Sequence, residues 1–287
     1  MKTYSSEQGM DEIKQEVPCN LCGSGQYKPR LLCNGFTFVE CLRCGLVYQN
    51  PRPRDEDVLS RYGNDYFTYE YENEANFFGL MLLGLNDVDF SGIEAEILSS
   101  PDRRKKFLDI GCATGRLLEH VRGRGWQEQG AEVCRESVEY GWSRRNVRIF
   151  HGTLEEAAFP DAEFSVVHGS HVIEHVLNPA AFVREIFRIL EPGGYALITT
   201  PNVEGWQARL FRNSWRSAIG DHMFLFSKAA LGSLFSNTGF VTQKIKTWGG
   251  LAAGRGPKPL KRLMDKSAKV LGTGDVMMFR CLKPAGP

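Results

Sequence analysis

No stretch of this sequence is apolar for long enough to cross a bilayer: the longest, Phe77 to Leu85, is under half the roughly 20 residues a spanning helix needs. The N-terminal MKTYSSEQGMDEIKQE is polar and lacks the apolar centre of a secretory signal. An excess of one charge is missing too. Lys and Arg number 35 against 34 Asp and Glu, a formal net charge of +1, whereas nucleic-acid-binding domains are as a rule basic. No internal repeat is visible. These absences leave a cytoplasmic protein as the expectation, with its eight cysteines reduced and disulfides not expected. What is present is ordinary for a globular chain: 42% hydrophobic and 24% charged over 287 residues. That length accommodates one large α/β domain and a small appended module.

The chain divides by pattern. Residues 1–16 read as a flexible tail and 17–53 as a cysteine-bearing module of short, turn-rich pieces. Asn50-Pro51-Arg52-Pro53 breaks regular structure and reads as a hinge. Residues 54–104, with Tyr62, Tyr66, Tyr69 and Tyr71 before the apolar stretch, read as a helical lid or linker. From residue 105 to 287 strands alternate with helices, which implies a parallel sheet covered on both faces. Strands are expected at Phe107–Ile110, Gln129–Val133, Val147–Phe150, Phe164–His168 and Tyr195–Thr199, with two more at Val241–Thr247 and Val276–Cys281. Asn178-Pro179 places a favoured cap before a favoured first helical residue, and Pro192-Gly193-Gly194 ends the helix they open.

A glycine loop, Gly111-Cys112-Ala113-Thr114-Gly115, follows the first of these strands. In such sheets, ligands bind beyond the carboxyl end of that strand. The Gly-Lys-Ser/Thr ending of a phosphate loop is absent. The dinucleotide pattern G-x-G-x-x-G fails at Ala113 and Arg116, and Asp109 beside a pyrophosphate is electrostatically poor. S-adenosylmethionine has no phosphate and carries cationic amino and sulfonium groups, so a carboxylate at the strand end helps. Glu132 ends the second strand, where an acid accepts hydrogen bonds from ribose hydroxyls. Ala113 is expected at negative φ.

Leu108-Asp109-Ile110-Gly111-Cys112-Ala113-Thr114-Gly115 resembles the hh-D-h-G-C-G-x-G signature of class I methyltransferases, with Ala113 in place of the middle glycine. Gly130-Ala131-Glu132-Val133 resembles their ribose-binding strand end, Gly152-Thr153-Leu154 the loop beside the adenine, and Ile189–Gly194 with Ile198–Asn202 the following helix end and strand. The resemblance covers about residues 105–282. It implies an α/β, Rossmann-like seven-stranded methyltransferase sheet. It also implies that Asp109, Gly111, Cys112, Ala113, Gly115, Glu132, Val133, Thr153, Leu154, Ser170 and His171 bind S-adenosylmethionine.

Cys19-x-x-Cys22 and Cys41-x-x-Cys44 lie 18 residues apart, and each pair is followed by a glycine, Gly23 or Gly45. The spacing fits a four-cysteine zinc ribbon whose closed coordination makes the Zn2+ structural. Cys33, Cys112, Cys134 and Cys281 read as ordinary residues. The segment Cys41–Pro53 resembles a bacterial methyltransferase subgroup with an N-terminal zinc element, active in polysaccharide, glycolipid and natural-product pathways. The sugar C-methyltransferases among them usually carry a further C-terminal domain that this sequence does not include, which directs the expectation away from a sugar C-methyl product.

His171-Val-Ile-Glu174-His175 matches an inverted zinc-protease pattern, but Asn178-Pro179 leaves no room for the helix that pattern needs. His175 then reads as a packed, hydrogen-bonded residue and His171 as one lining the site. Asp221-His222 through Ser227 resembles a substrate-loop segment of the subgroup. His222 is there either a general base or a brace for the loop. Residues 255–270 form a basic amphipathic segment, either a contact for anionic lipid or a phosphate-bearing substrate, or a solvated helix face. The expectation is methyl transfer to a small-molecule acceptor, lipid- or nucleotide-linked in some versions. The alternatives are a tRNA or protein methyltransferase that docks through the ribbon, and an inactive scaffold.

Overall fold

A computed structural model of the chain describes residues 14–33, 35–54, 57–58, 63–250 and 257–286. Residues 1–13 of the expected tail, Tyr62 and Arg255 lie outside the described residues, as do the side chains of Lys258 and Leu260. The cysteine-bearing part contributes β1 (Lys14–Gln15), β2 (Tyr27–Cys33), β3 (Phe36–Cys41), β4 (Val47–Gln49) and β5 (Arg52–Pro53). Two helices follow, α1 (Asn64–Asp87) and α2 (Phe90–Ser99). The rest alternates: β6 (Lys106–Ile110), α3 (Arg116–Arg122), β7 (Gln127–Glu132), α4 (Arg135–Tyr140) with a π-helical extension at Gly141–Arg145, β8 (Ile149–His151), β9 (Phe164–Ser170), α5 (Pro179–Ile189), β10 (Leu190–Pro201), α6 (Trp206–Phe211), β11 (Phe224–Leu225), α7 (Lys228–Thr238), β12 (Val241–Trp248), α8 (Lys258–Leu271) and β13 (Val276–Leu282).

The main sheet has seven strands in the order β12-β13-β10-β9-β6-β7-β8. β9, β6, β7 and β8 pair in parallel with their neighbours, as does β10 with β9. β13 corrects the all-parallel expectation: it runs antiparallel between β10 and β12. Strands covered on both faces need apolar side chains on both, and Phe107, Leu108, Val166, Val167, Leu197 and Ile198 are all buried. Local chemistry sets the helix starts. Asn178 Oδ1 accepts the Ala181 N–H at 3.0 Å to open α5, and Ser227 Oγ accepts the Ala230 N–H at 3.0 Å to open α7. The helix stops before Pro192, because Leu190 already pairs with Phe164 across a bulge that extends to Tyr195.

The cysteine-bearing sheet is joined to the main body. Its strand order is β11-β4-β3-β2, so the far-downstream β11 closes its edge. Cys19, Val39, Cys41, Leu46 and Tyr48 share one buried cluster with Met223, Phe224 and Phe226. The expected hinge at Asn50–Pro53 is packed against the body instead, with Asn50, Arg52 and Pro53 buried and Pro51 exposed. Asn50 Oδ1 accepts the Val17 N–H at 3.0 Å, and Arg52 donates to the Leu177 carbonyl at 3.4 Å.

The basic segment is helical in α8. Ala268 packs inward, and the Thr247 hydroxyl donates to its carbonyl at 3.2 Å. Leu263, Val270 and Leu271 are exposed, and the face that packs on the body runs through Ala268. Among the described residues no helix is long and apolar enough to cross a membrane.

Candidate active site

The carboxyl ends of β6, β7, β8 and β9 meet at one edge of the main sheet. Gly111 adopts φ +65° and Gly115 φ +78°, a region that disfavours side chains. A Cβ on Gly111 would lie 2.5 Å from Val172 Cγ2, so the loop is closed against the residues that follow β9. Ala113 departs from expectation. Its φ is +45°, not negative. The strain is held by a hydrogen bond from its backbone N–H to Glu132 Oε2 at 2.9 Å. The other Glu132 oxygen accepts the Cys134 N–H at 2.8 Å. Burial raises the Glu132 carboxyl above its usual range against these bonds, and the Asp109 charge adds to the rise. Asp109 is itself buried and paired with His168 Nδ1 at 2.7 Å. His168, which the sequence did not single out, braces the strand beneath the loop.

The remaining expected cofactor residues ring the same edge. The Glu132 carbonyl accepts the Gly152 N–H at 2.9 Å, and His151 Nε2 donates to the Val133 carbonyl at 3.2 Å. Thr153 starts a reciprocal turn: its Oγ1 accepts the Glu156 N–H at 3.2 Å while its own N–H donates to Glu156 at 2.8 Å. Leu154 is buried behind it, and Cys112 is buried with its thiol pushed well up, chiefly by burial. Ser170 ends β9, where Gly169 is in register with Ile110.

Helix α1 covers the loop and brings acids that the sequence did not flag. Thr114 Oγ1 donates to Glu74, and Arg145 bridges Glu74 at 2.6 Å and Glu119 at 2.8 Å. Glu70 lies one turn before Glu74 on the same helix face. Burial, then the charge of Glu132, push its carboxyl up to about 7, while His171 opposes the shift. Glu70 and Glu74 were legible as an i, i+4 acidic pair within Tyr69–Glu74, hidden among the tyrosines. Three carboxylates, at positions 70, 109 and 132, thus flank a glycine loop. That donor set suits a cationic ligand and opposes a phosphate, so S-adenosylmethionine fits.

His171 is half-exposed at φ +56° and hydrogen-bonds Glu174 Oε1 through Nδ1 at 2.9 Å. Glu174 is fully buried and also accepts from the Thr200 hydroxyl at 2.9 Å. Burial would raise its carboxyl, but the His171 hydrogen bond and the charges of His171, His175 and His222 bring it to about 2. Residues 171–177 form turns, not a helix, as the sequence required. His175 hydrogen-bonds the Asp221 carbonyl at 2.9 Å. His222 is buried: Nδ1 donates to the Ser217 carbonyl at 2.7 Å, and its ring lies 4.7 Å from that of His175. Burial, then His175, drive it down to about 3. Such a group is a weak proton acceptor.

In the cysteine-bearing sheet, Cys19, Cys22, Cys41 and Cys44 gather with all Sγ atoms within 4.8 Å of one another. Cys19 Sγ lies 3.4 Å from Cys44, and Cys22 Sγ 3.5 Å from Cys41. Tetrahedral Zn–S bonds of about 2.3 Å place sulfurs about 3.8 Å apart, close to these distances. Gly23 and Gly45, at φ +69° and +73°, close two matching turns, each N–H returning to the first cysteine's carbonyl. Burial pushes the Cys19 thiol up and takes Cys44 to about 11. Burial acts the same way on Cys41, but the N–H groups of Cys44 and Arg43 outweigh it and lower that thiol to about 7.

A family model described as a methyltransferase domain matches residues 91–245, more than half of the chain. The chain is 38% identical over 96 residues to an S-adenosylmethionine-dependent methyltransferase of Mycolicibacterium smegmatis, a match covering 33% of this chain and 37% of that one. It is 34% identical over 106 residues to a ubiquinone biosynthesis O-methyltransferase of Psychrobacter cryohalolentis, covering 34% and 41%. The match therefore spans about two fifths of those relatives' lengths. Among solved structures, a Haloferax volcanii complex between the Trm112 methyltransferase activator and a methyltransferase has a chain that aligns with TM-score 0.50 at 16% identity, covering 70% of this chain and 92% of that one.

Proposed function

The chain belongs to the methyltransferase-domain family, and on that premise we propose that it transfers a methyl group from S-adenosylmethionine to a small-molecule acceptor. The acceptor class we favour is a hydroxyl-bearing intermediate of quinone, glycolipid or natural-product biosynthesis, in line with the ubiquinone-pathway relative. The observation that carries the reading is the Glu132 bridge between the Ala113 and Cys134 N–H groups. It fixes an acid at the end of β7 against a glycine loop at the end of β6, the arrangement a ribose diol needs.

S-adenosylmethionine, when bound, supplies the methyl group already activated by its sulfonium. What the chain adds is positioning and charge. Glu70 and Glu132 face the cationic ligand, Thr153 and Leu154 flank its base, and Gly111 admits its backbone-close end. His171 is the better proton acceptor of the two expected candidates. It is exposed to the site, and Glu174 orients its Nδ1–H, leaving Nε2 toward the acceptor hydroxyl. His222 acts behind it. The four cysteines fit a structural Zn2+ that holds the sheet carrying β11.

Calorimetry should detect binding of S-adenosylmethionine or S-adenosylhomocysteine, weakened at least tenfold in Glu132→Ala; wild-type protein that binds neither would overturn the reading. Metal analysis of the reduced protein should find zinc that is lost when Cys22 and Cys44 are replaced by Ser.

A further inference from the structure

We propose that Glu174, His175 and His222 form a second metal site, one for a divalent transition cation such as Zn2+ or Fe2+, separate from the four cysteines. One ligand atom from each of the three lies within 4.8 Å of the others. A backbone carbonyl can only accept a hydrogen bond, so the contacts to Asp221 and Ser217 require the proton on Nδ1 of both His175 and His222. That tautomer places the lone pair of each ring on Nε2. Metal-binding histidines are held the same way, with the far ring N–H donated to a carbonyl or carboxylate. Glu174 is held equally firmly, by His171 on one oxygen and the Thr200 hydroxyl on the other. Each carboxylate oxygen retains a second lone pair. Two imidazoles and one carboxylate make a donor set that favours zinc or iron over magnesium or calcium, and three protein ligands leave coordination positions open.

The three ligands come from two segments. Glu174 and His175 follow β9, while His222 precedes β11, and the Met223 and Phe224 N–H groups both bond the Glu174 carbonyl, at 2.8 and 3.1 Å. The pairing of β11 with the cysteine-bearing sheet therefore sets the third ligand's position. Resting on the methyltransferase reading, an open position on such a cation would suit a hydroxyl acceptor, because a bound hydroxyl loses its proton more readily. A hydroxyl bound at an open position loses its proton to Nε2 of His171. The oxygen then forms its bond to the methyl carbon as the carbon–sulfur bond breaks, with that electron pair passing to sulfur. Protonated His171 returns its proton to water.

Cobalt(II) is the probe. Protein whose four-cysteine site is filled with zinc should take up one further Co2+ per chain, with weak visible bands and no intense thiolate-to-cobalt charge transfer. Glu174→Gln and His222→Asn, which keep side-chain size, should each weaken that uptake at least tenfold while S-adenosylmethionine binding by calorimetry persists. Wild-type protein taking up no further Co2+, or uptake unchanged in both variants, would overturn the proposal. Its failure is separable from failure of the methyltransferase reading, because cofactor binding is measured on the same samples. If neither variant folds by circular dichroism, the wild-type titration and its spectrum still decide.

Discussion

At Glu70 the environment reverses the usual behaviour of an acid. Burial and the neighbouring Glu132 hold its carboxyl near 7, against 4.5 for the free side chain. The folded chain thus keeps a proton that the unfolded chain has already released above 4.5. Stability linked to this group is lost as pH rises from about 4.5 through 7, on the order of 3 kcal/mol in all. A cationic ligand beside Glu70 favours the ionised form, so S-adenosylmethionine binding should release a proton. Its affinity should rise with pH up to about 7, by at most about tenfold per pH unit, and level off above that. Calorimetry across that range should show the rise flattened in Glu70→Gln. A slope unchanged in that variant removes Glu70 from the site. Ala113 is the other residue under strain. At φ +45° an alanine is held where glycine sits freely, so Ala113→Gly should stabilise the protein by up to about 1 kcal/mol. Thermal denaturation checks the sign; a lower melting temperature would mean that the Glu132 hydrogen bond leaves no strain to relieve. The sequence could not reveal this φ, because it follows from the Ala113–Glu132 bond between residues 19 positions apart.

Helix α1 is tied to the loop by polar contacts at Glu74, beside the apolar packing of Phe78, Met81 and Leu82. Arg145 is buried and joins Glu74 to Glu119, and Glu74 in turn takes the Thr114 hydroxyl. Arg145→Ala removes the bridge between the two acids, leaving Glu74 the Thr114 hydroxyl and Glu119 its pair with Arg116 at 3.2 Å. The expected loss is roughly 2–3 kcal/mol, below the figure for a fully buried pair because Glu119 is 40% exposed. Hydrogen exchange should quicken along residues 64–78, while β6 and β9 keep their protection. Equal exchange in the two proteins would show that the aromatic contacts of Phe67 and Tyr71 with Tyr140 hold the helix without the charges. Elements set by local signals were legible in the sequence. Asn178-Pro179 marked α5, and the alternation from residue 105 gave the strands from β6 onward apart from β11. Elements set by distant pairing were not. The antiparallel direction of β13 depends on neighbours 75 to 87 residues earlier in β10, and β11 is only two residues whose partner is in β4.

β11, which lies within the methyltransferase part of the chain, closes the edge of the cysteine-bearing sheet, and the consequence belongs to the whole molecule. A self-contained ribbon could lose its metal and leave the catalytic domain intact. Here Gln49 donates to the Met223 carbonyl at 2.9 Å, and both Asn20 and Arg52 reach the Leu177 carbonyl. Those contacts bear on the two loops that carry Glu174, His175 and His222. Without a cation, four sulfurs crowded into a largely buried pocket lose the charge that holds them together, and the turns at Gly23 and Gly45 lose their centre. Replacing Cys22 and Cys44 by Ser should therefore lower the melting temperature in one cooperative step. It should also speed hydrogen exchange in residues 217–226, far away in sequence. S-adenosylmethionine affinity should change by less than about threefold, since no cysteine of the module touches the loop from Gly111 to Gly115. Turnover should fall much further than cofactor binding, because the loop that positions His222 is loosened. Two separate melting transitions, with exchange at 217–226 unchanged, would show instead that the module folds alone and that β11 is held by the main body.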